Sequence, residues 1–308
     1  MPDCAADLGE LHAYPTADGS FSLQSDRFGE AFHNSAGARN EAEAKFAVPA
    51  QLERFQEGTP LRVLDVCVGL GYNSAVVLEA LPTPPPALDW WGLELDHRPL
   101  DLALARQEFR SSWSASVLQV LEQIRDHSRW HHGCCRGRLL WGDARSMLRQ
   151  IPDGQSFDLI LQDAFSPQRC PELWSEEFLA ALAGRLAPGG RLLTYSRSAA
   201  VRASLRRNGL MLFSLLPAPG ERPGWSSGTM AVRPGAPIPD GGPGWRALSL
   251  MEEEHLHTRA AVPFRDPSGT DDSAAILRRR SMEQDGCSLE PTNAWQRRWR
   301  QDSTGCSR

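Results

Sequence analysis

Residues 61–71 read Leu61-Arg62-Val63-Leu64-Asp65-Val66-Cys67-Val68-Gly69-Leu70-Gly71 and set the architecture of the chain. The run is apolar up to Val68 apart from Arg62 and Asp65, and it ends in two glycines that let the backbone turn sharply. An Ala/Val/Leu-rich stretch over residues 74–81 follows, and Pro82 ends it. This order predicts a strand, a tight turn and a helix, which together form the first unit of an α/β fold.

Further apolar runs, separated mostly by helical stretches, extend this pattern along the chain. They end at or just before polar residues: Leu88–Leu93 before Glu94, Arg138–Trp141 before Gly142-Asp143-Ala144, Phe157–Gln162 before Asp163, and Arg191–Tyr195. Two later runs, Leu210–Leu216 and Gly228–Val232, are joined without room for a helix, so we expect an antiparallel hairpin at one edge. The sequence thus predicts an α/β fold with a mostly parallel seven-stranded sheet and a C-terminal antiparallel hairpin.

Composition excludes several classes of protein. The 308 residues include 33 Lys+Arg and 38 Asp+Glu, a formal net charge of −5, with 41% hydrophobic residues, as in globular domains. A mildly acidic total argues against indiscriminate nucleic-acid binding, but it leaves room for a local basic face. No run approaches the roughly 20 apolar residues of a membrane span, and the start lacks a secretory signal. Seven scattered cysteines make no disulfide framework, so we expect a cytoplasmic protein that binds no membrane.

Composition also divides the chain into three parts. Residues 1–60 are expected to be an N-terminal extension that packs on a catalytic domain of residues 61–233. Prolines and glycines crowd together after Arg233, so residues 234–308 are expected to be a linker and a mobile tail with one helix-prone stretch, Met251–Thr258. That tail contains the segment Trp295-Gln296-Arg297-Arg298-Trp299-Arg300, in which arginines are interleaved with aromatic residues. We favour a disordered segment; the alternative is a segment that binds single-stranded nucleic acid.

Acids and glycines at the strand ends predict the cofactor, because ligands of a doubly wound sheet lie beyond the carboxyl ends of its strands. These acids, with no Gly-Lys-Ser/Thr phosphate loop, fit a positively charged nucleoside such as S-adenosylmethionine. Glu94 would accept both ribose hydroxyls, and Asp143 lies at the height of the adenine amino group. The alternatives are a glycine turn that serves only packing, and acids that are solvated or cap helices. The predicted cofactor-binding residues are Asp65, Gly69, Gly71, Asn73, Glu94, Asp143 and Ala144.

No metal site is predicted. The stretch His131-His132-Gly133-Cys134-Cys135 has residue types that bind zinc. Its adjacent pairs lack the two-residue gaps of common zinc sites, so we favour a surface loop.

A resemblance to a known family appears after the fourth run. The segment Asp163-Ala164-Phe165-Ser166-Pro167, followed by Cys170-Pro171-Glu172-Leu173-Trp174, resembles the Asp-Gly-Phe-Ala-Pro…Asn-Pro-x-Met-Trp signature of the tRNA 5-methylaminomethyl-2-thiouridine methyltransferases, the MnmC type, in their stand-alone form without an oxidase domain. Thr194-Tyr195-Ser196 and Val201-Arg202-x-x-Leu205 also resemble that family. The glycine turn departs from its Glu-x-Gly-x-Gly-x-Gly pattern at Cys67. The resemblance covers roughly residues 18–232 and implies a Rossmann-like class I methyltransferase that uses S-adenosylmethionine.

The resemblance implies N-methylation of the aminomethyl group on the wobble uridine of tRNA, with tRNA as partner and a separate oxidase or other modification enzyme upstream. Asp163 is the predicted catalytic residue, because a carboxylate there can accept hydrogen bonds from the acceptor nitrogen and orient its lone pair. The predicted substrate-binding residues, together with Arg169 on the tRNA backbone, are Phe165, Trp174, Tyr195, Arg197 and Arg202. Alternatively, Phe165 and Trp174 anchor the following helix, and Tyr195 belongs to the edge of the core.

Two other functions remain open at this point. One is a different transferase on the same scaffold, such as a polyamine aminopropyltransferase, whose corresponding loop also carries an Asp, a Pro and a Glu-Glu-Phe helix. The other is a non-catalytic RNA- or protein-binding relative that has lost cofactor affinity through Cys67. Binding of labelled S-adenosylmethionine distinguishes this relative from both enzymes.

Overall fold

Alternating strands and helices build a twisted sheet in the computed structural model, which describes residues 7–55, 58–218, 226–235 and 237–305. The strands are Leu11–Tyr14 (β1), Ser22–Ser25 (β2), Glu30–Ala31 (β3), Leu61–Val66 (β4), Leu88–Glu94 (β5), Arg129–His132 (β6), Cys135–Trp141 (β7), Phe157–Gln162 (β8), Leu186–Thr194 (β9), Met211–Leu215 (β10), Gly228–Val232 (β11), Gly241–Gly242 (β12) and Trp245–Ala247 (β13). The first three form a small antiparallel sheet, and the others form the main sheet.

Helices occupy the stretches between the strands. They are Ala38–Ala42 (α1), Tyr72–Glu79 (α2), Arg98–Leu104 (α3), Gln107–Arg110 (α4), Ala115–His127 (α5), Ala144–Leu148 (α6), Glu176–Arg185 (α7), Ala199–Arg207 (α8), Leu250–His255 (α9), Ser273–Gly286 (α10) and Thr292–Gly305 (α11). A π-helical turn, Glu43–Ala47, continues α1, and short 3₁₀ turns span Val48–Ala50, Leu52–Arg54, Pro171–Trp174 and Arg259–Ala261. Within the described residues, no helix is both long and apolar enough to cross a membrane.

The main sheet has the order β12-β13-β10-β11-β9-β8-β4-β5-β7-β6. Strand β4 pairs in parallel with β5 on one side and with β8 on the other, so the chain reverses its direction across the sheet at β4. This reversal creates a crevice beyond the carboxyl end of β4, where such folds bind ligands. The predicted mostly parallel α/β fold is confirmed.

The edge of the sheet differs from the prediction. Strands β10 and β11 do form the expected antiparallel hairpin, with Met211 opposite Val232. However, β13 adds to β10, β12 adds to β13, and β6 adds to β7 at the opposite edge, so the described sheet has ten strands and the hairpin lies inside it. Strands β12 and β13 come from the region after residue 233, whose prolines and glycines gave no strand pattern. Strand β6 contains His131 and His132, so these residues belong to an edge hairpin with β7 rather than to the expected surface loop.

Successive side chains of β4 point to opposite faces of the sheet, so β4 contributes to two hydrophobic cores, one on each face. Val63 packs in a cluster with Val76 of α2 and Leu121 of α5. Its neighbour Leu64 points to the opposite face and packs in a cluster with Leu179 of α7 and Val201 of α8. Buried strands with helices on both faces require apolar residues in both directions, as β4 has.

The termini pack against the central domain. In the N-terminal part, Leu23 and Phe46 belong to the cluster that contains Val63. After residue 236, Phe264 and Ile276 belong to the opposite cluster. The structure therefore differs from the expected linker and mobile tail, because residues 237–305 form strands and helices that complete the core.

The Trp295–Arg300 segment shows the same difference. It lies in α11 rather than in a disordered tail, and the Trp295 indole is stacked on His255 of α9 at 4.4 Å between ring centroids. Arg298 forms ion pairs with Glu254 and Glu290. These contacts attach α11 to the folded protein.

Candidate functional site

A cavity of about 790 Å³ opens at the carboxyl ends of β4, β5, β7 and β8. This volume is within the usual range for small-molecule sites. The cavity brings together eight of the residues predicted from sequence: Gly69, Asn73, Glu94, Asp143, Ala144, Asp163, Phe165 and Tyr195. Asp65, Gly71, Trp174, Arg197 and Arg202 were predicted too, but they do not line it.

The turn after β4 places backbone, rather than bulky side chains, at the cavity. Gly69 has φ of 55°, and Cys67, at the first glycine position of the resembled family, has φ of 68°. A positive φ is unusual for a residue with a side chain, so Cys67 is held there by its surroundings. Gly71 serves packing instead: a Cβ on it would lie 3.2 Å from Leu100 and 3.3 Å from Leu121.

Glu94 ends β5 and is fixed by backbone donors. Its Oε2 accepts from the N–H of Gly69 at 2.7 Å, and its Oε1 accepts from the N–H groups of Leu95 and Asp96. Burial raises the pKa of Glu94, and these three hydrogen bonds act in the opposite direction. Because a carboxylate has about four acceptor positions, Oε2 can accept another hydroxyl. The side chain is therefore rigidly presented to the cavity.

Asp143 follows β7 and has two structural partners. Its Oδ1 accepts from the backbone N–H of Arg145 at 2.8 Å, which caps α6. The guanidinium of Arg145 also binds both carboxylate oxygens, with Nη2 at 2.7 Å from Oδ2. The helix-cap alternative is thus correct, yet the capped carboxylate also lines the cavity beside Ala144.

Asp65 requires a correction. Its side chain is completely buried below the cavity, where Oδ2 accepts from Ser74 Oγ at 2.5 Å. Among the described residues Oδ1 has no hydrogen-bond partner, and burial raises the pKa of Asp65 to about 7. Sequence position at a strand end did not reveal that this carboxylate points away from the crevice, so Asp65 positions the turn rather than contacting the cofactor.

Asp163 lies at the centre of the site, immediately after β8. Asn73 of α2 donates from Nδ2 to its Oδ2 at 2.7 Å. Burial raises the pKa of Asp163 to about 7; the hydrogen bond from Asn73 lowers it, and the nearby charge of Glu41 raises it further. At neutral pH this carboxyl group can therefore both accept and release a proton.

An aromatic wall lies beside Asp163. The ring of Phe165 is stacked on Phe28 at 4.2 Å with an interplanar angle of 20°, and it meets Phe32 edge-on at 4.9 Å. All three rings line the cavity, as does Tyr195, whose hydroxyl donates to the carbonyl oxygen of Ala164 at 2.9 Å. Phe165 is consequently placed as predicted, in a wall to which the N-terminal part contributes.

Three predicted substrate-binding residues lie elsewhere. Trp174 is completely buried in one cluster with Phe178 of α7 and donates from Nε1 to the carbonyl oxygen of Phe165, which agrees with the alternative that it anchors the following helix. Arg197 is exposed and donates to the carbonyl oxygen of Ser226. Arg202 is 1% exposed and forms an ion pair with the buried Glu252. A buried arginine cannot reach a nucleic-acid backbone, so its assignment is wrong.

Sequence reasoning missed one pair beside the aromatic wall. Glu41 lines the cavity, accepts from the N–H of Asn34 at 2.9 Å, and forms an ion pair with Lys45 at 2.6 Å. Lys45 is the single lysine of the sequence and is almost fully buried. The sequence did carry a signal for this pair, because Glu41 lies four residues before the single lysine of an arginine-rich chain and this spacing favours an ion pair on a helix.

Comparison with known proteins identifies the domain. A family model described as an S-adenosyl-L-methionine-dependent methyltransferase matches residues 107–227. The crystal structure of MnmC2 from Aquifex aeolicus superposes with a TM-score of 0.75 and 26% identity, covering 92% of this chain and 87% of that one. The bifunctional tRNA 5-methylaminomethyl-2-thiouridine biosynthesis protein MnmC of Aromatoleum aromaticum is 30% identical over 210 residues.

The chain carries a methyltransferase domain of the MnmC type. Its residues 107–227 match a family of S-adenosyl-L-methionine-dependent methyltransferases. The alignment to the Aromatoleum MnmC covers 63% of this chain and 31% of that protein. An uncharacterized protein of Methanocaldococcus jannaschii is 28% identical over 200 residues, which are 65% of this chain and 54% of that protein. The chain thus spans about half or less of these relatives.

The residues of the MnmC-type site fit this cofactor. Glu94, Asp143 and Asp163 give the cavity three carboxyl groups. A sulfonium is attracted to such a site, whereas a di- or triphosphate would be repelled. Glu94 offers a hydroxyl acceptor and Asp143 an acceptor for an amino group, as the nucleoside part requires.

Proposed function

We propose that this MnmC-type enzyme methylates the amine of an aminomethyl group on the wobble uridine of tRNA, converting 5-aminomethyl-2-thiouridine to 5-methylaminomethyl-2-thiouridine. The observation that carries the proposal is the position of Asp163. Asp163 lines the same cavity of about 790 Å³ as the acids assigned to the cofactor and the aromatic wall. The names of the bifunctional relatives support the same acceptor. The partner is tRNA, and an upstream enzyme, such as a separate oxidase, supplies the free amine.

Asp163 prepares the acceptor amine. An aminomethyl group reaches the site mostly as an ammonium ion, which cannot act as a nucleophile. The pKa of Asp163 is raised to about 7 by burial, so the carboxylate can take a proton from this ion and pass it on to water. The ionised carboxylate then accepts a hydrogen bond from a remaining N–H and is free to receive a second proton after transfer. The lone pair of the nitrogen is thereby freed and oriented.

S-adenosyl-L-methionine supplies an electrophilic methyl carbon on its sulfonium. The acceptor nitrogen forms a bond to this carbon, the carbon–sulfur bond breaks, and its electron pair remains on sulfur. The methylated nitrogen then carries a positive charge and loses one proton. Asp163 is the group in the cavity with the position and pKa to receive that proton.

Glu41 and Lys45 set the charge around the acceptor. Glu41 faces the cavity, and its charge raises the pKa of Asp163, whereas Lys45 acts in the opposite direction. The buried ion pair keeps Glu41 ionised despite burial, because the charge of Lys45 lowers its pKa. Two acids near one point favour a cationic acceptor such as an aminomethyl group over a neutral hydroxyl.

The wall formed by Phe28, Phe32 and Phe165 suits a planar base turned into the cavity. Nucleic-acid bases stack on aromatic side chains with about 1–3 kcal/mol per base. The exposed Arg27 lies over Phe28 at 5.4 Å, and the guanidinium of Arg169 lies against Gly29 on the same rim. These two arginines, rather than Arg197 and Arg202, are placed to contact phosphates near the base.

The experiment compares cofactor binding with methyl transfer in Asp163→Asn. We expect this variant to bind S-adenosyl-L-methionine within about threefold of wild type, by calorimetry, and to lose more than about 100-fold in transfer to tRNA that lacks the final methylation. Asp153→Asn is the matched control, because Asp153 is fully exposed and outside the cavity. Loss of binding and transfer in equal measure would place Asp163 in the cofactor site and refute its role toward the amine.

A further inference from the structure

A short segment near the C-terminus forms one wall of the cavity. Thr270, Asp271, Asp272 and Ser273 line the cavity together with Asp143 and Arg145. We call residues 266–273 the C-terminal strap. It leads into α10, whose first residue is Ser273, and Ser273 Oγ donates to Glu172 at 3.0 Å, which attaches the strap to the 3₁₀ turn Pro171–Trp174.

One arginine connects the strap to the acid after β7. The guanidinium of Arg145 binds Asp143 through Nε and Nη2, and its Nη1 donates to Asp266 Oδ2 at 2.7 Å and to the carbonyl oxygen of Asp271 at 2.9 Å. The Asp266 side chain has no exposed surface, and that of Arg145 is 12% exposed. This chain of contacts links residues that are more than 120 positions apart in sequence.

Asp266 also organises the strap itself. Its Oδ1 accepts from the N–H groups of Thr270 and Asp271 and from the hydroxyl of Ser268. Burial raises its pKa, but the hydrogen bonds and charge of Arg145 hold the pKa of Asp266 below its usual value. One buried carboxylate therefore fixes both the loop that lines the cavity and the arginine that faces it.

We propose that Asp266 is a positioning residue for the cofactor: through Arg145 it fixes the Asp143 carboxylate, and with it the preference for an adenine amino group. Two acids share one guanidinium in this cluster, so its formal charge is −1. Without Asp266, the Arg145 charge is balanced by Asp143 alone, and Asp143 becomes a weaker acceptor toward the cavity. Nη1 also loses its carboxylate partner and keeps only the carbonyl oxygen of Asp271, so the bidentate pair is held less firmly.

This inference rests on the assignment of Asp143 to the adenine end of the cofactor and not on the tRNA substrate. It is tested with two ligands, S-adenosylhomocysteine and S-inosylhomocysteine. The second carries a carbonyl oxygen in place of the amino group, so it cannot donate to Asp143. The ratio of their dissociation constants reports the Asp143 contact, whereas a general loosening of the cavity changes both constants alike.

We expect Asp266→Asn to reduce the wild-type preference for the adenosine ligand by about fivefold or more, in line with a weakened hydrogen bond to a charged group. Arg265→Gln is the matched control, because it removes an ion pair with Glu177 beside the strap but keeps the hydrogen bond from the backbone N–H of Asp266 to Glu177. It is expected to keep the preference. Arg145→Lys keeps the positive charge but loses the bidentate geometry of the guanidinium, so it is expected to reproduce the effect of Asp266→Asn. It replaces Asp266→Asn in the experiment if that variant fails to fold.

Equal weakening of both ligands in Asp266→Asn and Arg145→Lys would overturn the proposal, because the strap would then be a general support. An unchanged preference in both variants would overturn it as well. Asp143→Asn separates this failure from failure of the cofactor assignment. If Asp143→Asn keeps the wild-type preference for S-adenosylhomocysteine, Asp143 does not contact the amino group. If Asp143→Asn loses this preference while Asp266→Asn and Arg145→Lys keep it, only the inference about the strap is wrong.

Discussion

Replacing Arg202 by methionine is expected to destabilise the fold by about 3–5 kcal/mol, the usual cost of removing one partner from a buried ion pair. Arg202 is 1% exposed and donates to Thr229 Oγ1 at 2.8 Å, to Ser226 Oγ at 2.8 Å and to Glu252 Oε1 at 3.0 Å. Methionine has a comparable length, so the loss of stability measures the charge and its hydrogen bonds more than a cavity. The prediction follows from the finding that Arg202 belongs to the core.

The pKa of Glu252 shows how strongly the whole cluster stabilises its carboxylate. Burial alone would raise this pKa, but hydrogen bonds from Ser249, Ser214 and Arg246 and the charge of Arg202 lower it from 4.5 to about 2. A shift of roughly 2.5 units at about 1.4 kcal/mol each corresponds to about 3 kcal/mol for all of these partners together, and Arg202 supplies only a part of it. Because the folded-state pKa is lowered, this stability is present above pH 4.5 and is lost as the pH falls toward 2.

Urea unfolding at pH 7 and at pH 3 is the assay. Arg206→Met is the control, because Arg206 lies one turn later on α8 and its ion pair with Glu253 is about 40% exposed on both sides. The control is expected to lose less than about 1 kcal/mol. Equal losses in the two variants would refute the account of the buried pair. A stable Arg202→Met protein that no longer binds tRNA would restore the substrate-binding assignment.

Two further predictions concern the cavity. Glu94→Gln is expected to weaken S-adenosyl-L-methionine binding by at least about tenfold in calorimetry, since one charged acceptor of a hydroxyl is lost; unchanged affinity would remove Glu94 from the cofactor site. Methyl transfer under single-turnover conditions is expected to rise with pH through about 7, because burial raises the pKa of Asp163 to that value and its ionised form is the acceptor of the proton. In Asp163→Asn, the residual rate of methyl transfer should no longer rise with pH in this range. An unchanged pH profile in that variant would mean that the rise reflects deprotonation of the amine alone.

The parallel sheet was predictable because each strand carries its own signal. Val63 and Leu64 belong to opposite cores, so β4 had to be apolar on both faces, and that pattern is visible without any partner. The positions of Glu94 and Asp163 followed from the same signal, because polar residues after buried strands reach the crevice. Asp65 did not follow, since its side chain direction depends on Ser74, which the pattern does not encode.

The C-terminal part could not be predicted because its structure depends on distant partners. Trp245 of β13 is buried, and Arg191 of β9 stacks on its ring at 4.9 Å, yet the prolines and glycines around it indicate only a linker. Likewise, Arg202 pairs with Glu252, fifty positions later, so its place in a family-like motif said nothing about burial. Long-range pairing of this kind determines the burial of a charged residue more than its local sequence does.

The most direct test of the proposed reaction is analysis of tRNA nucleosides by mass spectrometry. The purified protein and S-adenosyl-L-methionine are incubated with tRNA from cells that lack the final methylation, and the tRNA is then digested. The proposed reaction predicts that 5-aminomethyl-2-thiouridine gains one methyl group with wild type and with Asp153→Asn, but not with Asp163→Asn. Absence of any change with wild-type protein that binds the cofactor in the same preparation would contradict this substrate and require a different acceptor.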